Sequence, residues 1–352
     1  MDILNLLGND TAIRELVAGL PSLALVIAII VCIVLLSKGA DWMIDGVVSL
    51  ARRTGLSQVV IGATIVSLGT TTPEAFVSVV AAWLGDPGLA LGNGVGSIIA
   101  DTGLIFGVTC LLAAVPVKRY ILNRTGLVQV GAATLLVVLS LFAWFASGGE
   151  PVLNRWVGML LLVLLGWYLF ATYRWARQDE EEKTRRTADP PAETMSLGRA
   201  WALIAAGLIL VVAGARILVP CAAELAYRIG VPHDVIAATM VALGTSLPEL
   251  MTAVASVRKG HPDITVGNIV GADVLNCLFV IGAAAATRPL AVPPNFFTFH
   301  FPAMLIILYS FRFFIVMNRD GRFKRWQGAW LLGIYLVYVI LQYALTIGTG
   351  QA

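Results

Sequence analysis

The chain has 352 residues, 58% of them apolar and 13% charged, and its mean hydropathy is +0.85. A soluble globular protein carries about 25% charged residues, so a water-soluble fold is excluded. The net charge of +3 is small, and no nucleic-acid partner is expected.

Apolar stretches of roughly 20 residues, the length that crosses a bilayer core, follow one another along the whole chain. The first, 20–50, follows a polar segment with Asp10 and Glu15. It has no basic flank and no small-residue cleavage site, so it reads as a retained span rather than a signal peptide. Further helices are predicted over 58–84, 89–115, 126–146 and 153–173. A hydrophilic stretch, Arg174–Arg199, carries Asp179-Glu180-Glu181-Glu182 and Pro190-Pro191. It reads as a solvated linker; a calcium-binding regulatory element is the alternative. Helices over 199–227, 233–257, 264–287, 298–317 and 326–347 complete the set. The expected fold is all-α and polytopic, with ten transmembrane helices. Its parts are 1–173, a linker at 174–198, and 199–352.

The connections alternate in charge. One set holds Arg52 and Arg53; Lys118, Arg119 and Arg124; Arg174, Arg177, Lys183, Arg185 and Arg186; Arg258 and Lys259; Arg319, Arg322, Lys324 and Arg325. The other holds little beyond Arg155, Arg228 and Arg288. The positive-inside rule places the first set in the cytoplasm and both termini outside, as in a prokaryotic-type plasma (inner) membrane protein.

Two stretches repeat. Gly69-Thr70-Thr71-Thr72-Pro73-Glu74 returns as Gly244-Thr245-Ser246-Leu247-Pro248-Glu249, and Gly92-Asn93-Gly94-Val95-Gly96-Ser97 returns as Gly267-Asn268-Ile269-Val270-Gly271-Ala272. The offset is 175 in both cases, and 58–107 matches 233–282 at 18 of 50 positions without a gap. The similarity reaches the first and sixth helices, where Gly39-Ala40 matches Gly214-Ala215. Five helices precede the second copy's half, so the halves start on opposite sides of the membrane and are inverted. Inverted halves with matched helix breaks mark secondary transporters.

Each repeat sets one carboxylate, Glu74 or Glu249, in the middle of an apolar segment. Such groups are costly in a membrane and mark ion pathways. Pro73 and Pro248 free the carbonyls four residues back, those of Gly69 and Gly244. Helices 2/3 and 7/8 are therefore expected to be broken at the core. Freed carbonyls at membrane depth need a partner, and a cation supplies one. Thr70, Thr71, Thr245 and Ser246 add hydroxyls, completing a set of hard oxygen ligands suited to Na⁺ or Ca²⁺. Asp86-Pro87 marks a turn about 12 residues beyond Glu74, or roughly 18 Å of helix. The same distance back reaches Ser97–Asp101, so Asp101 lies at the depth of Glu74. By the same count Ala272–Asn276 lies at the depth of Glu249. Gly92, Gly94, Gly96, Gly267 and Gly271 permit close helix approach.

At these residues the chain resembles the cation/calcium exchanger superfamily, which includes the sodium/calcium exchangers. The family pattern G-T-[ST]-x-P-E and G-N-x-x-G-S-N-I-x-[ND] stands here as GTTTPE with GNGVGSIIAD, and GTSLPE with GNIVGADVLN. The resemblance covers both halves and implies antiport of Ca²⁺ against Na⁺. It implies central ligands at Glu74, Asp101, Glu249 and Asn276. Peripheral oxygens are implied at Ser67 and Ala242 (backbone) and at Thr70, Thr71, Ser97, Thr245 and Ser246. Three positions depart from the pattern: Ala272 replaces a serine, Ile98 an asparagine, and Asp273 an asparagine. Asp273 either faces the site or pairs elsewhere in the bundle. H⁺-coupled or K⁺-involving exchange uses the same kinds of ligand and remains open. A channel is disfavoured by the paired inverted repeats, and an enzyme by the lack of HExxH, a Ser-His pair or a cofactor motif. No cofactor and no obligate oligomer is expected; the partners are the transported ions and the lipid bilayer. Cys32, Cys110, Cys221 and Cys277 lack CxxC spacing and read as buried small hydrophobes.

Overall fold

A computed structural model of the protein describes residues 15–54, 56–117, 119–184, 195–229, 244, 246–318 and 320–348. Side chains are described for all of these except 119, 179–184 and 345–348. The described chain is almost wholly helical. Helices are α1 Ser22–Thr54, α2 Gln58–Leu84, α3 Pro87–Leu112, α4 Arg119–Ser147, α5 Arg155–Thr184 and α6 Leu197–Arg228. They continue as α7 Leu247–Arg258, α8 Pro262–Thr287, α9 Phe296–Met317 and α10 Arg325–Gly348. Among the described residues, all but α7 are long and apolar enough to cross a membrane. The expected seventh span begins at 233, and residues 230–243 lie outside the described ones.

One boundary differs from the sequence reading in kind. The acidic run Asp179–Glu182 sits on the last turns of α5, which runs past the predicted end at 173 into the stretch read as a solvated linker. Glu, Lys, Arg and Gln are good helix formers, so the helix continues past the apolar stretch.

The inversion is visible in two straps that tie the halves together. At one end of the bundle the α3–α4 connection pairs with the α9–α10 connection. Val117 N donates to Gly321 O at 2.8 Å, and Phe323 N to Val115 O at 2.8 Å. At the other end a two-stranded antiparallel ribbon, β1 Val152–Leu153 with β2 Leu290–Ala291, joins the α4–α5 and α8–α9 connections. Val292 N donates there to Pro151 O at 2.9 Å. Val115 and Val117 plus 175 are Leu290 and Val292, so the same segment of each half makes a strap at opposite ends.

Helices α3 and α8 are the most buried of the crossing helices. Their apolar faces share one core with α4, α5, α9 and α10, including Ile98, Phe106, Leu136, Tyr168, Ile281, Met304 and Phe311. Outer faces carry exposed Phe142, Phe145, Trp156, Val163 and Ile340. In lipid such faces need no cover. Helices α1 and α6 form a separate pair. A Cβ on Gly39 would meet Gly207 O at 2.7 Å, and one on Gly46 would meet Ala200 O at 2.7 Å. Small residues here let two backbones approach.

The expected irregularity of the core helices takes the form of π turns. They occupy Gly62–Val66 in α2, Asp101–Ile105 in α3 and Asn276–Val280 in α8. The latter two match residue for residue at the offset of 175. Such turns widen the helix and leave carbonyls without regular partners. Tyr168, buried on α5, donates its hydroxyl to one of them, Ala63 O, at 3.3 Å. Pro73 stands inside the continuous helix Ser67–Leu84. Pro248 stands in the first turn of α7, directly after Ser246 at φ −88°, ψ 7°.

Candidate ion-binding site

Two helical hairpins build the site: α2–α3 from the first half and α7–α8 from the second. Each turns sharply into a helix that starts on a proline. Asp86 caps α3, accepting from Leu89 N at 2.9 Å, ahead of Pro87. Pro262 opens α8 after Gly260, whose φ of +76° only glycine adopts readily.

Each hairpin is closed by a hydroxyl-to-carbonyl link. In the first, Ser78 Oγ donates to Ala90 O at 3.1 Å. Asn93 Nδ2 donates to Ser78 Oγ at 2.9 Å and to Glu74 O at 3.0 Å. In the second, Thr265 Oγ1 donates to Ala253 O at 3.4 Å, and Ser256 Oγ donates to the same carbonyl at 3.0 Å while also bonding Thr265. Ala253 is the mate of Ser78, and Thr265 the mate of Ala90. The same crossing is thus made with donor and acceptor exchanged.

The hairpins then cross. A Cβ on Gly271 of α8 would lie 2.5 Å from Ala63 O, 2.6 Å from Ala63 Cα and 2.6 Å from Ser67 Oγ. One on Gly267 would collide with Val59 O, and one on Gly62 would meet Ile264 O at 2.6 Å. The second half's glycine pair therefore seats α8 against the π turn of α2, backbone on backbone.

This crossing places the predicted residues together. Glu74, Thr70, Thr71 and Ser67 on α2 are buried, as are Ser97 and Asp101 on α3, Ser246 and Glu249 at the start of α7, and Asn276 on α8. Asp101 and Asn276 each open a π turn. The carboxylates of Glu74, Asp101 and Glu249 face one another closely enough to repel. They do not close into a compact cluster of three at metal-ligand spacing. Hydroxyls cross between halves: Thr70 lies beside Glu249 and Ser246 beside Asp101. Thr70 Oγ1 also donates to Val66 O at 3.2 Å and to Asn268 Oδ1 at 3.4 Å. Thr245 and Ala242 lie outside the described residues.

All six carboxylate oxygens of Glu74, Asp101 and Glu249 are buried without a hydrogen bond. So are both polar atoms of the Asn276 amide and the hydroxyls of Thr71, Ser97 and Ser246. No Lys or Arg pairs with these carboxylates among the described residues; the ion pairs Arg228–Glu224, Lys259–Asp45 and Lys324–Asp320 lie elsewhere. Burying an unpaired carboxylate costs several kcal/mol even after relaxation, and an unsatisfied neutral polar group about 1–3 kcal/mol. Such a set is stable in a fold only if something positive binds there. Hard oxygens from carboxylate, amide and hydroxyl select a hard cation.

Asp273 is buried on α8 and is paired. Its Oδ2 accepts from Thr102 Oγ1 on α3 and from Gln129 Nε2 on α4, the latter at 2.5 Å. It also lies near Asp101 and Glu249. Asp273 thus bonds within the bundle through one carboxylate oxygen while lying beside the site. Thr102 and Gln129 went unread in the sequence. Gln129 stands as a lone amide within an apolar span, and that was the available signal.

An inverted-repeat helical bundle with unpaired carboxylates at its crossing is built as a membrane transporter. The sodium/calcium exchanger protein family model matches residues 24–174 and 199–344, and the chain belongs to that family. Inner membrane protein YrbG of Escherichia coli (strain K12) is 31% identical over 323 residues, 90% of this chain and 96% of YrbG. Sodium/calcium exchanger MaX1 of Methanosarcina acetivorans is 28% identical over 336 residues, 88% of this chain and 95% of MaX1. Among solved structures, the sodium-calcium exchanger NCX_Mj soaked with 2.5 mM Na⁺ and 10 mM Sr²⁺ aligns with a TM-score of 0.76. The identity there is 25%, over 91% of this chain and 99% of that one.

Proposed function

We propose that the chain is a secondary antiporter that exchanges Ca²⁺ for Na⁺ by alternating access. The observation that carries this reading is the convergence of Glu74, Asp101 and Glu249, buried, unbonded and without a cationic partner among the described residues. Ionised, the three carry −3, which suits one Ca²⁺ or about three Na⁺. Asn276 adds a neutral ligand. Ser67 and Ala242 add backbone carbonyls, and Thr70, Thr71, Ser97, Thr245 and Ser246 add hydroxyls. Competition of the two ions for one ligand set makes their movements mutually exclusive, and exclusivity is what couples them. The two halves are residues 1–173 and 199–352. The protein sits in a prokaryotic-type inner membrane, with the 174–198 connection in the cytoplasm and both termini outside.

The test is ⁴⁵Ca²⁺ uptake into proteoliposomes with a Na⁺, K⁺ or pH gradient imposed separately. Uptake driven by an outward Na⁺ gradient alone is the expected result. Uptake driven only by the pH gradient would replace Na⁺ with H⁺ as the coupling ion, and uptake without any counter-gradient would make the protein a channel.

A further inference from the structure

The environment of Asp273 departs from the inverted symmetry at three positions together. Its mate at the offset of 175 is Ile98. The mate of Thr102 is Cys277, and the mate of Gln129 is Met304. Ile98, Cys277 and Met304 are all buried in the main apolar core. At one of two places related by the inverted symmetry the bundle therefore holds an apolar packing unit, and at the other a carboxylate, a hydroxyl and an amide.

The polar unit is only half satisfied. Oδ2 of Asp273 receives two donors, Thr102 Oγ1 and Gln129 Nε2. Oδ1 of Asp273 and Oε1 of Gln129 are buried and receive none. Gln129 is fully buried and Asp273 is 1% exposed. No Lys or Arg pairs with Asp273 among the described residues, and its neighbours Asp101 and Glu249 are themselves acidic. Packing alone does not require this arrangement, since the apolar mate set fills the symmetry-related place. Two buried acceptor oxygens are thus left without a donor next to a second carboxylate, that of Asp101.

We propose that Asp273 Oδ1, Gln129 Oε1 and the Asp101 carboxylate form a monovalent-cation subsite, set to one side of the pseudo-two-fold axis between α3, α4 and α8, that takes Na⁺. The set is too sparse for Ca²⁺, which takes six to eight oxygens. A singly charged ion offsets the one extra carboxylate that Asp273 brings. Thr102 holds the opposite carboxylate oxygen and so aims Oδ1. This rests on the exchange reading above, and the subsite shares Asp101 with the Ca²⁺ ligands.

The test is equilibrium binding of ²²Na⁺ and ⁴⁵Ca²⁺ to the purified full chain at fixed pH. The forms are wild type, Asp273→Asn, Gln129→Met, Asp273→Glu, and the triple variant Thr102→Cys/Gln129→Met/Asp273→Ile, which installs the apolar mate set. Asp273→Asn, Gln129→Met and the triple variant are expected to bind one Na⁺ fewer per chain than wild type. Ca²⁺ binding should stay at one per chain. Asp273→Glu keeps the charge and should keep the count with weaker affinity. An unchanged Na⁺ count in Asp273→Asn and Gln129→Met overturns the subsite. So does loss of Ca²⁺ binding along with Na⁺ in variants that remain folded, or a change confined to pH dependence, which would make Asp273 a proton site. Failure of wild type to bind Ca²⁺ displaceable by Na⁺ would instead defeat the exchange reading.

Discussion

Gly271→Ala tests whether the seating of α8 on α2 sets the ion ligands. The added Cβ would lie 2.5 Å from Ala63 O and 2.6 Å from both Ala63 Cα and Ser67 Oγ, where ordinary contact begins at 3.4 Å. The helices must part by about 0.9 Å, and two of the obstructing atoms are backbone that cannot swing away. Overpacking of this kind costs about 1–3 kcal/mol. More to the point, ligands must be held within roughly 0.5 Å of working geometry. Asn276 lies five residues beyond Gly271 on the same rigid helix, while Glu74 lies on the helix being pushed away. The displacement exceeds that tolerance, so Ca²⁺ affinity should fall by about 10- to 100-fold, or roughly 1.4–2.7 kcal/mol. The assay is ⁴⁵Ca²⁺ binding to purified protein, with thermal unfolding to verify the fold. Gly131→Ala on the exposed face of α4, with nothing described within 4 Å, is the control; it should leave binding unchanged. A Gly271→Ala protein that binds Ca²⁺ within threefold of wild type would refute the reasoning.

Glu74→Gln or Glu249→Gln removes charge while keeping shape, and each should abolish Ca²⁺ flux in proteoliposomes; wild-type flux would remove that residue from the site. Asp101→Asn should weaken Ca²⁺ binding about 100-fold or more and Asn276→Ala about 10-fold, because only the first removes formal charge from a low-dielectric site. Calorimetry ranks them, and equal losses would contradict a direct role for the charge at 101. Ala272→Ser should raise apparent Na⁺ affinity in Na⁺-dependent Ca²⁺ efflux, since the buried alanine offers no oxygen where Ser97 offers one; superimposed curves would count against it. In a background lacking the four native cysteines, Cys at Gln178 and at Glu150, both exposed, should label from opposite sides of the membrane. Labelling from one side would overturn the inverted topology.

The spans were legible because lipid demands long apolar runs, and the repeat was legible because its motifs lie at a constant offset. Glu74 and Glu249 stood out as single charges in such runs. The π turns were not legible. Proline and glycine announce irregularity, but where the widened turn forms depends on which carbonyl finds a partner, as Ala63 does in Tyr168 from α5. The Asp273 pairing was equally hidden. Gln129 and Thr102 are ordinary residues until α3, α4 and α8 are packed together. The continuation of α5 through Asp179–Glu182 was missed because hydrophilicity ends a membrane span without ending a helix.

The exchanged hydroxyl links of the two hairpins have a consequence for how such halves can change. One half holds its crossing from residue 78 toward the carbonyl of 90, the other from residue 265 toward the carbonyl of 253. Converting one arrangement into the other takes two substitutions. Passing through Ala at both places loses the link, at about 0.5–1.5 kcal/mol for a hydrogen bond. Passing through a hydroxyl at both places sets two polar side chains side by side at one crossing. The second half shows one accommodation of that crowding, since Ser256 bonds Thr265 and shares its carbonyl. Duplicated halves of this kind drift through such paired steps rather than freely. A double-mutant cycle on Ser78 and Ala90 would measure the barrier between the two solutions as a coupling energy.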